Sequence, residues 1–197
     1  MTKTLLVVGD SYMKTDERCP GQHWSEMLSE YHVINLAGAG NSLAMIQFSL
    51  YQGLAQHCPD AVVVGFTDPL RIEFGKDNIY TSCHVHSLTS DQKIATKYWH
   101  ATLDLDFQAI KGCMQMLSML DLLFRHQIPY AYSLGNFKSF VGHMPQVLLG
   151  QLERHSLRQT TMELANYRPF KASPVFHVDD PVWQQRYAQS VREILTT

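Results

Sequence analysis

Short apolar runs that lack polar alternation restrict the fold of this chain more than any other sequence feature. Residues 4–9 and 61–65 are such runs, rich in valine or leucine at consecutive positions. Strands of this kind are buried on both faces, as in parallel sheets that helices cover. Residues 32–36, 129–133 and 175–176 are three further short strand candidates. Helical patterns separate these strands, which predicts an α/β domain with a mostly parallel sheet of five strands.

Apolar residues recur at helical spacing between the predicted strands. The first predicted helix, residues 24–31, places four of them on one face. Ser42 is positioned to cap the next helix, which ends near residue 57. The remaining predicted helices are 97–127 with a break near Gly112, one or two within 144–165, and 181–195 with Val182, Tyr187, Val191 and Leu195 as inward candidates.

The length of the chain predicts a single domain over residues 1–197. These 197 residues suffice for one well-buried core and are few for two. Around residues 66–96 and 135–173 no clear period holds, so we expect insertions in both places. Long irregular segments are usually functional or contain small elements of their own. Substrate specificity is therefore expected to reside in these two insertions.

The composition excludes several classes of protein. Hydrophobic residues make up 45% and charged residues 17% of the chain, which excludes a disordered protein. The net charge of −2 gives no support for binding to nucleic acid. No apolar run approaches the ~20 residues of a membrane span, and the run after Met1 is too short for a signal peptide. We therefore expect a cytoplasmic protein with no membrane span and no nucleic-acid partner.

The sequence contains no convincing metal or cofactor motif. The four cysteines include no CxxC pair. His84 and His86 would share one face of an extended segment, but a further ligand at regular spacing is missing. The segment Gly38-Ala39-Gly40 does not extend to the GxGxxG pattern of a dinucleotide site. No metal and no cofactor are predicted.

Polar and small residues follow each predicted strand. Ligands of parallel sheets bind outside the carboxyl ends of the strands, where such residues converge. We therefore expect one site built from segments far apart in sequence. These segments are Asp10-Ser11, residues 38–42, Thr67-Asp68, residues 133–136 and residues 177–180.

The order of these segments resembles the sequence blocks of the SGNH hydrolases, also called the GDSL esterase/lipase superfamily. The matching segments are Gly9-Asp10-Ser11, the set Asn35, Gly40 and Ser42, the segment Gly65-Phe66-Thr67-Asp68, and His177-Val178-Asp179-Asp180-Pro181. The resemblance covers nearly the whole chain, although only the first motif is a full match. It implies a flavodoxin-like three-layer sandwich for the fold.

The resemblance also implies a role for each matched residue. Ser11 would be the nucleophile, activated by a base that takes its proton. The amides of Ser11 and Gly40 and the side chain of Thr67 would form the oxyanion hole. Thr67 stands where the family has asparagine.

The base is the position at which this chain departs most from the family. The family has aspartate followed three residues later by histidine, whereas His177 precedes Asp180 here. Either His177 serves as the base with Asp180 supporting it, or no base exists. An alignment of this segment shifted by a few residues is a further alternative. His84 or His86 is an alternative base, because the insertion after the third strand borders the same crevice.

Four charged or polar residues beside these motifs are candidates for contact with the substrate: Asp10, Asn41, Asp68 and Arg71. Arg71 could bind a carboxylate or phosphate through two parallel hydrogen bonds. Pairing of Arg71 with Glu73 or Asp68 inside the protein is the favoured interpretation.

Two functions account best for this sequence, and a third interpretation is a flavodoxin-like binder of a small ligand without a role for Ser11. The first is a serine ester hydrolase of the SGNH type acting on a small-molecule ester, either a short acyl ester or an O-acetyl group. The alternative is a catalytically inactive member of the same fold that serves in binding or assembly. The methionine- and aromatic-rich helices would suit a homo-oligomer or a larger assembly in that case.

Overall fold

The computed structural model describes residues 2–73, 79–80, 89–159 and 180–196 of the chain. Its strands are β1 (Lys3–Val8), β2 (Tyr31–Asn35), β3 (Ala61–Gly65), β4 (Ile72–Glu73), β5 (Ile79–Tyr80) and β6 (Tyr130–Ser133). Four of them form a parallel sheet in the order β2-β1-β3-β6. Strands β4 and β5 pair with each other in a small antiparallel ladder.

The parallel sheet has four strands among the described residues, whereas the sequence predicts five. The predicted fifth strand, residues 175–176, lies outside the described residues. The bounds of the four observed strands agree with the prediction to within one residue at each end. This agreement arises because each strand is a short apolar run whose ends are marked by polar residues, glycine or proline.

Five α-helices accompany the sheet in the described residues. They are α1 (Leu43–His57), α2 (Ser90–Ala101), α3 (Leu105–Arg125), α4 (Gln146–Glu153) and α5 (Pro181–Thr196), and shorter 3₁₀ helices span Trp24–Met27, Gly135–His143 and Ser156–Arg158. The predicted cap of α1 is confirmed, because the Ser42 hydroxyl accepts a hydrogen bond from the Met45 amide at 3.2 Å.

The predicted helix over residues 24–31 is wrong. Only a 3₁₀ turn, Trp24–Met27, forms there, and β2 begins at Tyr31. Trp24 and Leu28 are nonetheless buried, because the turn packs beneath α5. The Trp24 amide donates to the Gln184 side chain at 2.7 Å and so joins the turn to α5. The apolar residues that are spaced as in a helix are therefore required for packing against α5, although no α-helix forms.

The predicted break near Gly112 is also wrong. The helical region divides at residues 102–104 instead, where the Asp104 carboxylate caps α3 by accepting from the Phe107 amide at 2.9 Å. Gly112 lies inside α3 and is buried. A Cβ atom there would lie 2.7 Å from the Phe137 ring and 2.8 Å from Pro69. Glycine at this position therefore permits close packing of α3 and is not a break.

Helices cover both faces of the sheet. Successive side chains of β1 and β3 point to opposite faces, as in any strand. One face packs against α1, α3 and α4, and the other packs against the 24–27 turn and α5. In α5, Tyr187 and Val191 are buried as predicted, whereas Val182 is 54% exposed. Among the described helices, none combines the length and apolar character that crossing a membrane requires.

The strand order places a crevice beside β1. The chain passes from β1 to β2 on one side and then, through α1, to β3 on the other side of β1. Such a reversal separates the two connections at the carboxyl ends of the strands, and ligands of open parallel sheets bind there. The residues that follow β1 and β3 therefore frame the candidate site.

Candidate functional site

Ser11 stands in a tight turn directly after β1. The turn is closed by a hydrogen bond from the Met13 amide to the Asp10 carbonyl at 3.1 Å. Gly9 allows the turn to fold back, since a Cβ atom there would lie 2.4 Å from Cγ of Met13. Ser11 lines an open cleft of about 470 Å³, together with Ala39 and residues 14–18.

Asp10 begins this turn, and its buried carboxylate accepts hydrogen bonds at both oxygens. Its side chain is 1% exposed. Oδ1 accepts from the Tyr12 amide at 3.1 Å, and Oδ2 accepts from the Thr67 hydroxyl at 3.0 Å and from Nη2 of Arg71 at 3.1 Å. Burial raises the pKa of Asp10, while the charge of Arg71 and these hydrogen bonds act in the opposite direction. A buried carboxylate of this kind needs its partners to stay charged.

Arg71 joins three loops behind the candidate nucleophile. Besides its contact with Asp10, it donates from Nη1 to the Asn41 carbonyl at 2.5 Å. Asn41 in turn donates from its side chain to the Gly9 carbonyl at 3.0 Å. Gly40, the residue before Asn41, has a φ of 79°, a conformation that favours glycine. Arg71 therefore fixes the loop that carries Gly40 against the turn that carries Ser11.

This arrangement gives Arg71 a partner that the sequence analysis did not name. The sequence favours Glu73 or Asp68, and the structure pairs Arg71 with Asp10. The side chain of Glu73 lies outside the described atoms. Asp68 accepts from the Leu70 amide at 2.7 Å and so shapes the turn that leads to Arg71. Arg71 is therefore paired inside the protein with Asp10, and its pairing with Glu73 or Asp68 stays a prediction.

Thr67 is turned toward Asp10. The residue is fully buried just after β3, and its hydroxyl donates to the Asp10 carboxylate. A threonine hydroxyl carries one proton. While that proton is given to Asp10, it is not available to an oxyanion.

The predicted base lies outside the described residues. This applies to His177 and to the alternatives His84 and His86. Asp180 is described, and its Oδ1 accepts from the Trp183 amide at 3.0 Å at the start of α5. Asp180 therefore caps α5. Among the described residues, no cluster of three histidine, cysteine, aspartate or glutamate side chains is arranged to hold a metal ion.

His23 supports the site without belonging to any sequence motif. This residue is fully buried, with Nδ1 2.8 Å from the Ser25 hydroxyl and Nε2 3.1 Å from the Tyr12 carbonyl. The second contact fixes the proton on Nε2, because a carbonyl accepts hydrogen bonds and does not donate them. His23 thus supports the turn that carries Ser11. No pattern in the sequence indicates this role, which depends on tertiary contacts alone.

The burial of His23 leads us to expect a lower free energy of unfolding in mild acid. Burial lowers the pKa of His23 to about 4, from an ordinary value near 6.5. Between these two values the unfolded chain binds more protons than the folded one, so stability is lost as the pH falls through this window. Because one pKa unit corresponds to ~1.4 kcal/mol, we expect a decrease of about 2 kcal/mol between pH 7 and pH 5.

Urea unfolding at both pH values measures this effect. The His23→Gln variant is the matched comparison, because glutamine can donate to the Tyr12 carbonyl but does not titrate. Its stability should decline less between pH 7 and pH 5 than that of the original chain. Equal declines in both proteins would show that His23 is not responsible.

Several solved structures of low sequence identity share this fold. The chain is similar to the psychrotrophic esterase EstA from Pseudoalteromonas sp. (TM-score 0.59, 12% identity, 99% of this chain and 100% of that chain). It is also similar to TesA (TM-score 0.56, 15% identity, 98% of each chain). A G-D-S-L lipolytic protein from Veillonella parvula matches with a TM-score of 0.55 and 10% identity over 98% of each chain.

A further match is a catalytic mutant of Axe2, an acetylxylan esterase from Geobacillus stearothermophilus (TM-score 0.54, 12% identity, 98% of this chain and 94% of that chain). No family model matches the chain, and no curated protein matches it by sequence. The chain therefore has the fold of the lipolytic G-D-S-L proteins, as the resemblance of its motifs implied.

Proposed function

We propose that this protein is a serine ester hydrolase that acts on a small acyl or O-acetyl ester, with Ser11 as its nucleophile. The observation that carries the proposal is the position of Ser11. It follows β1, an inner strand, at the carboxyl edge of the sheet and opens onto a cleft of about 470 Å³. The shared fold supports the proposal, since EstA is an esterase and Axe2 an acetylxylan esterase.

The proposed reaction has two steps. A base takes the proton of the Ser11 hydroxyl as its oxygen attacks the ester carbonyl, and the carbonyl oxygen becomes an oxyanion. The intermediate collapses when the base returns the proton to the leaving alcohol, so the acyl group remains on Ser11. Water then attacks the acyl-enzyme by the same route and releases the carboxylic acid. Backbone amides of Ser11 and Gly40 are the proposed donors to the oxyanion.

His177 is the proposed base, with Asp180 orienting it. Oδ1 of Asp180 is occupied by the cap of α5, so Oδ2 is the atom proposed to accept from the imidazole. A supporting carboxylate of this kind selects the imidazole tautomer that can take a proton from serine. His84 and His86 remain the alternative bases.

The four candidate substrate contacts divide into two groups in this proposal. Arg71 bonds to both Asp10 and Asn41, and Asn41 bonds to the Gly9 carbonyl, so we assign these three residues to positioning the turn and the Gly40 loop. Asp68 and Arg71 both line a second cleft of about 230 Å³, together with Trp99 and Lys111. Because Arg71 already bonds to Asp10 and Asn41, Asp68 is the member of the set that we propose contacts substrate.

One observation favours the alternative function. The Thr67 hydroxyl donates its hydrogen bond to Asp10, so one of the three donors expected for the oxyanion is already used. Loss of one such donor typically slows an enzyme ~10²–10³-fold. A chain with this defect and with a reversed histidine–aspartate pair would suit a binding or assembly role in which the fold is kept without the chemistry.

Labelling with a fluorophosphonate probe tests the proposed function. The probe reacts with activated serines, and the adduct is located by intact mass and peptide mapping. We expect one adduct on Ser11, absent from Ser11→Ala and retained by the exposed-serine control Ser29→Ala. We also expect His177→Ala to abolish it, since the proposed base is then missing.

Other labelling outcomes are informative. An adduct that survives in His177→Ala and is lost in His84→Ala or His86→Ala would move the base to the insertion after β3. Absence of labelling in folded protein, beside a reactive control enzyme, would contradict the hydrolase proposal and favour the alternative.

A further inference from the structure

The outer side of α3 carries a regular row of exposed or partly exposed side chains. We call this row the α3 stripe, and it consists of Phe107, Lys111, Met114, Ser118, Asp121 and Arg125. The spacing alternates between four and three residues, which keeps all six on one side of a helix. Phe107 and Met114 are each 59% exposed. The stripe extends about 27 Å at about 1.5 Å per residue.

Two shallow grooves flank the middle of the α3 stripe. Both are bordered by Met114 and Ser118. The groove toward the start of α3 has a volume of about 350 Å³ and includes Phe107 and Ile110. The groove toward its end has a volume of about 430 Å³ and includes Tyr51 of α1. The surface therefore presents a central ridge between two grooves.

The charges of the α3 stripe complement one another about its centre. Lys111 lies five residues before Met116, and Asp121 lies five residues after it. If a second copy packs antiparallel with its two-fold axis at this level, Lys111 of each copy faces Asp121 of the other. The same operation sets Phe107 opposite Arg125 and Met114 opposite Ser118. An isologous dimer requires such self-complementarity.

We propose that the α3 stripe is the interface of a homodimer of this chain. Burial of the exposed Phe107 and Met114 side chains in the grooves of the second copy supplies the apolar contribution. The two symmetric pairs of Lys111 with Asp121 fix the register. Oδ1 of Asp121 lies 3.2 Å from Nε2 of His155, so Oδ2 is the atom that the lysine would contact. The proposal is independent of the hydrolase chemistry.

Charge reversal tests this interface by sedimentation over a range of concentrations. We expect the original chain to reach twice its mass of 22.5 kDa as its concentration rises. Lys111→Glu places two pairs of like charges in the dimer, and Asp121→Lys does the same. Each should raise the dimer dissociation constant at least about tenfold. An equimolar mixture of the two variants should form a heterodimer, because both pairs are then opposite in charge.

Two further variants separate the interface from general effects of charge. Arg186 is exposed on α5, which covers the other face of the sheet. Arg186→Glu makes a comparable reversal of charge there and should leave the dimer unaffected. Met114→Arg should weaken the dimer without touching either ion pair. The proposal is overturned if the original chain stays monomeric at all concentrations. It is also overturned if folded Lys111→Glu and Met114→Arg dimerise as the original chain does, or if folded Lys111→Glu and folded Asp121→Lys fail to associate with each other.

Discussion

Replacement of Ser11 by alanine is expected to lower turnover of a short-chain aryl ester by roughly 10³-fold or more, the scale seen when a nucleophilic serine is removed. The reason is that the proposed acyl-enzyme forms on the Ser11 hydroxyl, which alanine lacks. Initial rates measured with matched protein concentrations report the effect. The side chain of Ser11 is partly exposed in a turn, so alanine should leave the fold and its thermal stability nearly unchanged.

Ser29→Ala is the matched control for this experiment. Ser29 is an exposed serine in the turn before β2 and lies outside the cleft. Its replacement should leave turnover at the original level. If Ser11→Ala keeps more than about a tenth of the original rate, the nucleophile has been assigned to the wrong residue, since such a loss is far below that expected for a nucleophile.

Replacement of Arg71 by methionine is expected to lower the free energy of unfolding by about 3 kcal/mol at pH 7. Removal of one partner from a buried ion pair typically costs about 3–5 kcal/mol, because the remaining charge is left without compensation. Here the remaining charge is Asp10, which is 1% exposed, and Arg71 itself is 8% exposed. Urea unfolding monitored by circular dichroism measures the change.

The double variant Arg71→Met with Asp10→Asn separates charge from packing. Asparagine removes the uncompensated charge while its amide can still bond to the Tyr12 amide and the Thr67 hydroxyl. We therefore expect the double variant to recover much of the lost stability. Equal losses in the single and double variants would instead assign the effect to the packing of the arginine side chain.

The pH dependence of the Arg71→Met variant provides a second check. Without Arg71, the pKa of Asp10 should rise further, because the charge that opposes the effect of burial is gone. The folded state then binds a proton more readily than the unfolded state does. The stability deficit relative to the original chain should therefore shrink as the pH is lowered toward about 4.

Local patterns predicted most of the elements that make up the fold. The four observed strands of the parallel sheet and helices α1 and α5 are each defined by an apolar pattern and a clear boundary, such as Ser42 or Pro181. The errors at residues 24–31 and at Gly112 have a common cause. In both places tertiary packing determined the local structure. Packing against α5 limits residues 24–31 to a short turn, and packing against Pro69 and Phe137 places Gly112 inside a continuous helix.

The candidate site was predictable in its location and less so in its contacts. The rule that ligands bind at the carboxyl ends of parallel strands brought Asp10, Gly40 and Thr67 to one edge of the sheet. The contact of Arg71 with Asp10 was missed because Asp10 is 61 residues away along the chain, and no local pattern encodes that contact. Asp10 follows a buried strand, and a buried carboxylate of this kind requires a cationic partner.

The close packing at Gly112 makes α3 a rigid link between two parts of the molecule. On its inner side, the missing side chain lets the helix backbone rest against Pro69, in the loop that leads to Arg71. The α3 stripe lies on the opposite side of the same helix. The backbone of α3 packs closely against Pro69 at Gly112. A displacement of α3 by a neighbouring molecule would therefore also move the loop that leads to Arg71, the residue that contacts Asp10 and Asn41.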